Sequence, residues 1–127
     1  MSDIELVRRR RAERRGRRSE SLAVLALRLK GFRILGRRVR NPAGEIDLVA
    51  RSPFGILCFV EVKARSAERE AVESVGLRQR QRIARAAEHF LAAHPALKPS
   101  GVRFDVVAVS PRSWPKHFPD AWRPDGG

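Results

Sequence analysis

The chain has 127 residues, a formal net charge of +13 and a single cysteine, Cys58. That length supports one domain with a modest core, and a lone cysteine excludes a disulfide framework and a cysteine-based zinc site. Charge of this size attracts polyanions, nucleic acid above all, whereas no apolar run is long enough to span a bilayer.

Residues 1–18 read as an Arg-rich arm, helical or disordered. They contain no apolar signal-peptide core, and Asp3, Glu5 and Glu13 interrupt the arginines in a way foreign to transit peptides. The expectation is a soluble cytoplasmic protein in a reducing compartment.

A core domain is expected over 19–112. Ser19 is placed to cap a helix in which Leu22, Leu25, Ala26 and Leu29 recur at helical spacing, with Gly31 as the stop. Apolar residues lie on nearly every side of this helix, which predicts that it is mostly buried. Glu20 stacks on the side of Val24 and Leu27, so its carboxylate is expected to point inward. Residues 32–40 read as a first strand and Asn41-Pro42-Ala43-Gly44 as a turn. Two strands follow, 44–51 and 56–65, joined by the turn Ser52-Pro53-Phe54-Gly55. A polar loop over 66–73 leads to a helix from a Ser74 cap to His94, closed by Pro95, and then to a last strand over 102–110. Residues 113–127 read as an irregular tail whose Trp114, Phe118 and Trp122 pack on the domain. The order α-β-β-β-α-β predicts an α/β fold, a mixed sheet flanked by helices, with the last strand parallel to its partner.

The two central strands carry charges where apolar residues belong. Side chains alternate along a strand, so Cys58, Val60, Val62 and Ala64 share one face and Phe59, Glu61, Lys63 and Arg65 the other. Likewise Ile46, Leu48 and Ala50 oppose Glu45, Asp47 and Val49. An odd-length loop centred on Phe54 sets Asp47 opposite Glu61 and Glu45 opposite Lys63. An even-length loop would mismatch the apolar faces, which burial disfavours. Two carboxylates so placed repel one another unless something positive sits between them. A hard divalent cation with oxygen ligands does this, and Lys63 would project beside it. An ordinary solvated Glu–Lys ladder would show the same E-x-K spacing. Against it stand Asp47 in register, the apolar flanks, the inward Glu20, and a lysine in a chain that writes nearly all its positive charge as arginine.

The hairpin resembles the signature of the PD-(D/E)xK nuclease superfamily, and more closely that of the YraN-like family of predicted nucleases, similar in turn to archaeal Holliday junction resolvases. The matching residues are Glu20, GEIDL at 44–48, FVEVKAR at 59–65 and RFD at 103–105, and the resemblance covers about residues 16–122. It implies a restriction-endonuclease-like α-β-β-β-α-β core. It also implies a metal-dependent endonuclease acting on DNA, branched or damaged DNA included. Asp47, Glu61 and Glu20 would hold Mg²⁺ or Mn²⁺, and Lys63 and Gln79 would complete the catalytic set. Two positions depart from the family pattern. Arg37-Arg38 stand where the family has Arg-Asn, and Gln79 stands where it carries a lysine; a glutamine orients water or ligand but supplies no charge.

Arg78, Arg82 and Arg85 form a stripe on the second helix and, with Arg65, are candidate phosphate contacts; a merely solvated face is the alternative. Glu45 reads as structural, partnered by Lys63 or an arginine. Asp105 reads as a strand-end salt bridge to Arg103 or Arg65 rather than a ligand. His89, His94 and His117 lack metal-binding spacing. Two other functions stay open: a nucleic-acid-binding module of the same fold with little or no catalysis, and a basic RNA- or ribosome-associated protein. Monomer and homodimer are both compatible with the sequence.

Overall fold

The computed structural model describes residues 2–64, 72 and 74–124. Arg65 and the segment from it to residue 71 lie outside the described residues, so the expected Arg65 contact does too.

The Arg-rich arm and the expected first helix are one element, α1 (Asp3–Leu29). Its N-terminus is a capping box: Ser2 Oγ accepts the Glu5 N–H at 3.2 Å and Glu5 Oε2 accepts the Ser2 N–H at 3.4 Å, which satisfies two otherwise orphaned donors. Ser19 is therefore mid-helix and caps nothing. The residues before it are mostly arginine, alanine and glutamate, strong helix formers that give the helix no reason to begin late. At the other end Gly31, with φ +87, closes a Schellman motif: Phe32 N–H donates to Leu27 O and Gly31 N–H to Arg28 O. Glycine takes this left-handed conformation without the Cβ penalty. The helix buries one stripe, Ala23, Val24, Ala26 and Leu27 with Glu20, and leaves Leu22, Leu25 and Leu29 at the surface. The expectation of a mostly buried helix is thus corrected, because one sheet face covers one side only.

Five strands form a mixed sheet in the order β1 (Arg33–Asn41), β2 (Gly44–Arg51), β3 (Ile56–Ala64), β4 (Gly101–Val109), β5 (Lys116–Trp122). All neighbours are antiparallel except β3 and β4, which are parallel as expected. Their connection carries α2 (Leu77–Ala93) and a 3₁₀ turn at Pro95–Leu97. α2 begins at Leu77 behind Gly76, without a side-chain cap bond, later than the expected Ser74 cap. The expected order α-β-β-β-α-β stands and is extended by β5. The tail expected to be irregular is largely this edge strand.

β3 is buried on both faces, which is why its sequence reads as a nearly unbroken apolar run. Towards α1, Leu48, Ala50, Cys58, Val60, Val107 and Val109 pack on Ala23, Val24 and Leu27. Towards α2, Val49, Leu57, Phe59 and Val106 pack with Ile83, Ala87, Phe90 and Trp122. Ile46 departs from the expected alternation and joins the α2 side with Val39. The β1–β2 end curls over that helix, where Asn41 Nδ2 donates to Ala86 O at 2.9 Å. Arg38, at φ +51, interrupts β1 just before the curl. Among the described residues no helix is long and apolar enough to cross a membrane.

Candidate active site

The loop between β2 and β3 fixes the register on which everything else depends. Ser52 N–H donates to Ile56 O at 2.8 Å and Gly55 N–H to Ser52 O at 3.0 Å, so the loop is the three residues Pro53-Phe54-Gly55. Gly55 sits at φ +86, the left-handed position such loops need. The ladder then pairs Arg51 with Leu57, Ala50 with Cys58, Val49 with Phe59 and Leu48 with Val60. One further step along this register sets Asp47 beside Glu61, as the odd-length loop required. The strands part there, because Val62 N–H donates to Asp47 Oδ2 at 2.9 Å instead of to a backbone carbonyl.

Glu61 is buried, with 4% of its surface exposed. Its Oε2 accepts from Gln79 Nε2 at 3.3 Å, and Gln79 Oε1 accepts from Lys63 Nζ at 3.3 Å. Gln79, on the first turn of α2, thus clips the lysine to the acid. Glu61 Oε1 is buried with no hydrogen-bond partner. Burial first, then the adjacent Asp47 charge, push the Glu61 carboxyl up to about 8; the Lys63 ammonium offsets only part of this. Burial also raises Asp47, against the Val62 amide and the Glu61 hydrogen bond, which lower it. Burial and the neighbouring charge thus favour the protonated form of Glu61 beside Asp47.

Such a pair can hold a hard cation. All its donors are oxygens, and one of them is buried and unsatisfied. Among the described residues no three Asp, Glu, His or Cys side chains converge as a metal cage. Two carboxylates with water and phosphate filling the other positions is a set Mg²⁺ accepts. Glu20 is buried as expected, but its carboxylate is held by Arg38 Nε at 2.9 Å and Arg37 Nε at 3.3 Å. It acts on Asp47 through its field, which raises Asp47 further. Arg37 and Arg38, noted in the sequence only as a departure, are thus the neutralising partners of Glu20. No spacing rule pointed to that, since the contact joins a helix to a strand.

The remaining candidates fall into place around this centre. Arg78, Arg82 and Arg85 are exposed on α2, with Arg78 and Arg82 flanking Gln79. Glu45 pairs with exposed Arg40 at 2.9 Å, a structural contact. Asp105 is fully buried on the opposite sheet face, where Arg103 holds both its oxygens at 2.8 and 2.9 Å. It also accepts from His117 Nε2 at 2.7 Å and Asp120 N–H at 3.0 Å. Burial pushes the Asp105 carboxyl up, but the His117, Arg103 and Asp120 hydrogen bonds outweigh it and hold the group below its usual range. Lys30 Nζ donates to His117 Nδ1 at 2.7 Å, so the tautomer that satisfies both partners carries its proton on Nε2. The sequence foretold the Arg103 pair; the His117 and Lys30 contacts needed β5 and were missed. Cys58, beside this network, has its thiol pushed by burial up to about 12, an unreactive cysteine.

Residues 19–109 match the model of a family described as "Uncharacterised protein family UPF0102". A UPF0102 protein of Parvibaculum lavamentivorans is 52% identical over 113 residues, covering 89% of this chain and 84% of the relative. One of Paramagnetospirillum magneticum is 52% identical over 118 residues, covering 90% and 91%. One of Maricaulis maris is 50% identical over 116 residues, covering 91% of each. With β1 to β4, α2 and the acid pair all inside the matched span, the chain belongs to the UPF0102 family.

Proposed function

We propose that this protein is a metal-dependent endonuclease that hydrolyses phosphodiester bonds in DNA, branched or damaged DNA among its substrates. One observation carries the reading: a buried carboxylate pair, Asp47 and Glu61, in which Glu61 Oε1 has no partner and a lysine stands at the rim. Asp47 and Glu61 are the residues that would hold Mg²⁺ or Mn²⁺. A bound ion of this kind polarises the phosphate and makes its water acidic enough to attack at neutral pH. Glu61 would release its proton to solvent to take that role. Lys63, oriented by Gln79, places its ammonium where negative charge builds on the phosphate. Arg78, Arg82 and Arg85 draw the DNA backbone toward the same end of α2. The reading places the protein in the cytoplasm, where the single buried thiol of Cys58 stays reduced.

The test is cleavage of junction, flap, single-stranded and duplex DNA by the full-length protein with Mg²⁺ or Mn²⁺. We expect cleavage of at least one substrate, and losses of about 100-fold or more in Asp47→Asn and Lys63→Ala with DNA affinity retained. Wild-type protein that cleaves none of them with either ion would refute the enzyme. A second reading, a nucleic-acid-binding module without turnover, is favoured by the pairing of Glu20 with Arg37 and Arg38. It predicts binding of the same DNA with no strand cut.

A further inference from the structure

On the α1 side of the sheet, where β3 and β4 end, lies a groove of about 650 Å³, within the usual range of small-molecule sites. α1 contributes Arg18 and Leu22, the sheet Val109, and the β4–β5 connection Arg112, Trp114 and Pro115. A hydrogen bond between Ser110 Oγ and Ser113 Oγ, 2.5 Å long, folds this connection back on itself.

Trp114 is the tail aromatic that packing does not use. Trp122 is 1% exposed and stacks on Phe104 at 4.3 Å, and Phe118 lies part-buried opposite Val106. Trp114 is 56% exposed. Its ring pairs with no other aromatic among the described residues. The sequence-based expectation that all three rings pack on the domain therefore holds for two. Leaving an indole in water forgoes the burial that a large aromatic normally gains. Here it does so inside a groove flanked by two exposed arginines, on a chain of net charge +13.

A flat ring beside two guanidinium groups matches a nucleotide: the base stacks on the ring and the neighbouring phosphates take the arginines. The groove and the candidate active site lie on opposite faces of the sheet and share the end of β3. β3 ends with Lys63 on the face of the acid pair and Ala64 at the groove. A flexible single strand can turn a base onto such a ring, whereas a stiff duplex keeps its bases stacked inside the helix.

We propose that the groove takes an unpaired nucleotide of the DNA substrate, its base on Trp114 and its phosphates on Arg18 and Arg112. This rests on the endonuclease reading and gives it a substrate class: DNA that carries unpaired nucleotides, as at flaps and open branches. The test measures binding of full-length protein to a labelled oligothymidylate and to a duplex of equal length, in metal-free buffer where nothing is cut. Trp114→Ala is expected to weaken single-strand binding about 5- to 100-fold, the effect of losing one base–aromatic stack, and to leave duplex binding unchanged. Trp114→Phe is expected to keep most of the affinity, and abasic positions in the oligonucleotide to lower wild type toward the alanine variant. Equal losses on single strand and duplex, or no loss, would overturn the proposal. So would a Trp114→Ala defect confined to self-association, which would make the groove a contact between copies. Selective single-strand binding by a wild type that cleaves nothing would keep the groove and sink the nuclease.

Discussion

Asp47 accepts the Val62 amide at 2.9 Å, so its carboxylate belongs to the hydrogen bonding of the sheet as well as to the acid pair. From the sequence, removing an acid should only relieve repulsion. With this contact, Asp47→Ala also strands a buried amide, and we expect it to cost about 1–3 kcal/mol in denaturant unfolding. Asp47→Asn keeps an acceptor and removes the charge, so it should match or exceed wild-type stability without metal. Glu61 adds a pH dependence of definite sign. Its folded value lies near 8 against an ordinary 4.5. Across that window the folded protein keeps a proton that the unfolded chain has released, and stability falls as pH rises. Asp105 works oppositely: its value is lowered from 3.8, so its contribution is present above that pH and is lost as pH falls below it. Thermal melts of the metal-free protein should therefore peak on the mildly acidic side, and Glu61→Gln should flatten the alkaline limb. The pairing of Asp47 with Glu61 was legible because strand period and turn length determine it. The capture of Glu20 was not, because it depends on how a helix sits over β1.

α1 shows how a local signal fails at the scale of an element. A serine before an apolar run is a sound cap, yet a cap requires the helix to be broken upstream, and nothing in the preceding residues breaks it. The helix instead runs on from Ser2, and Glu20 is the first of its residues that is buried among those described. Deleting residues 1–15 removes six arginines and no described core residue. We expect the melting temperature to stay in place and DNA affinity to fall for every sequence. The dependence of log K on log salt should flatten by about 0.9 for each phosphate that the shortened protein no longer neutralises. Unchanged affinity would show that the arm does not touch DNA. β5 failed to register for the opposite reason. KHFPDAW has a proline and no apolar alternation, and Asp120 sits at φ +52. It becomes a strand because the outer edge of β4 takes a partner and buried Asp105 binds both His117 and the Asp120 amide. The β2–β3 hairpin, by contrast, was readable, since Gly55 ends its loop in the left-handed conformation. Gly55→Ala should cost about 1–2 kcal/mol, and more through the Ser100 Oγ that a Cβ would meet at 3.0 Å.

At the scale of the molecule the sheet separates two kinds of buried acid. On the α1 face Asp105 is fully compensated by Arg103, His117 and a backbone amide, an arrangement that serves the fold. On the α2 face Asp47 and Glu61 crowd two carboxyl groups beside a single ammonium, Lys63, and leave one oxygen with no partner. The order of elements and this contrast of faces follow from apolar periodicity, which the sequence displays. The compensation of Asp105 and Glu20 comes from contacts distant in sequence, which it does not. In a protein of net charge +13, the acid pair Asp47 and Glu61, with its unpartnered oxygen, is where the proposed cation would sit. That is tested most directly by the thermal melting of wild type and Glu61→Gln with and without Mn²⁺ or Mg²⁺. We predict that the ions raise the wild-type melting temperature and leave Glu61→Gln where it was. A wild-type melt indifferent to both ions, or an equal rise in the variant, would contradict a cation held by Asp47 and Glu61.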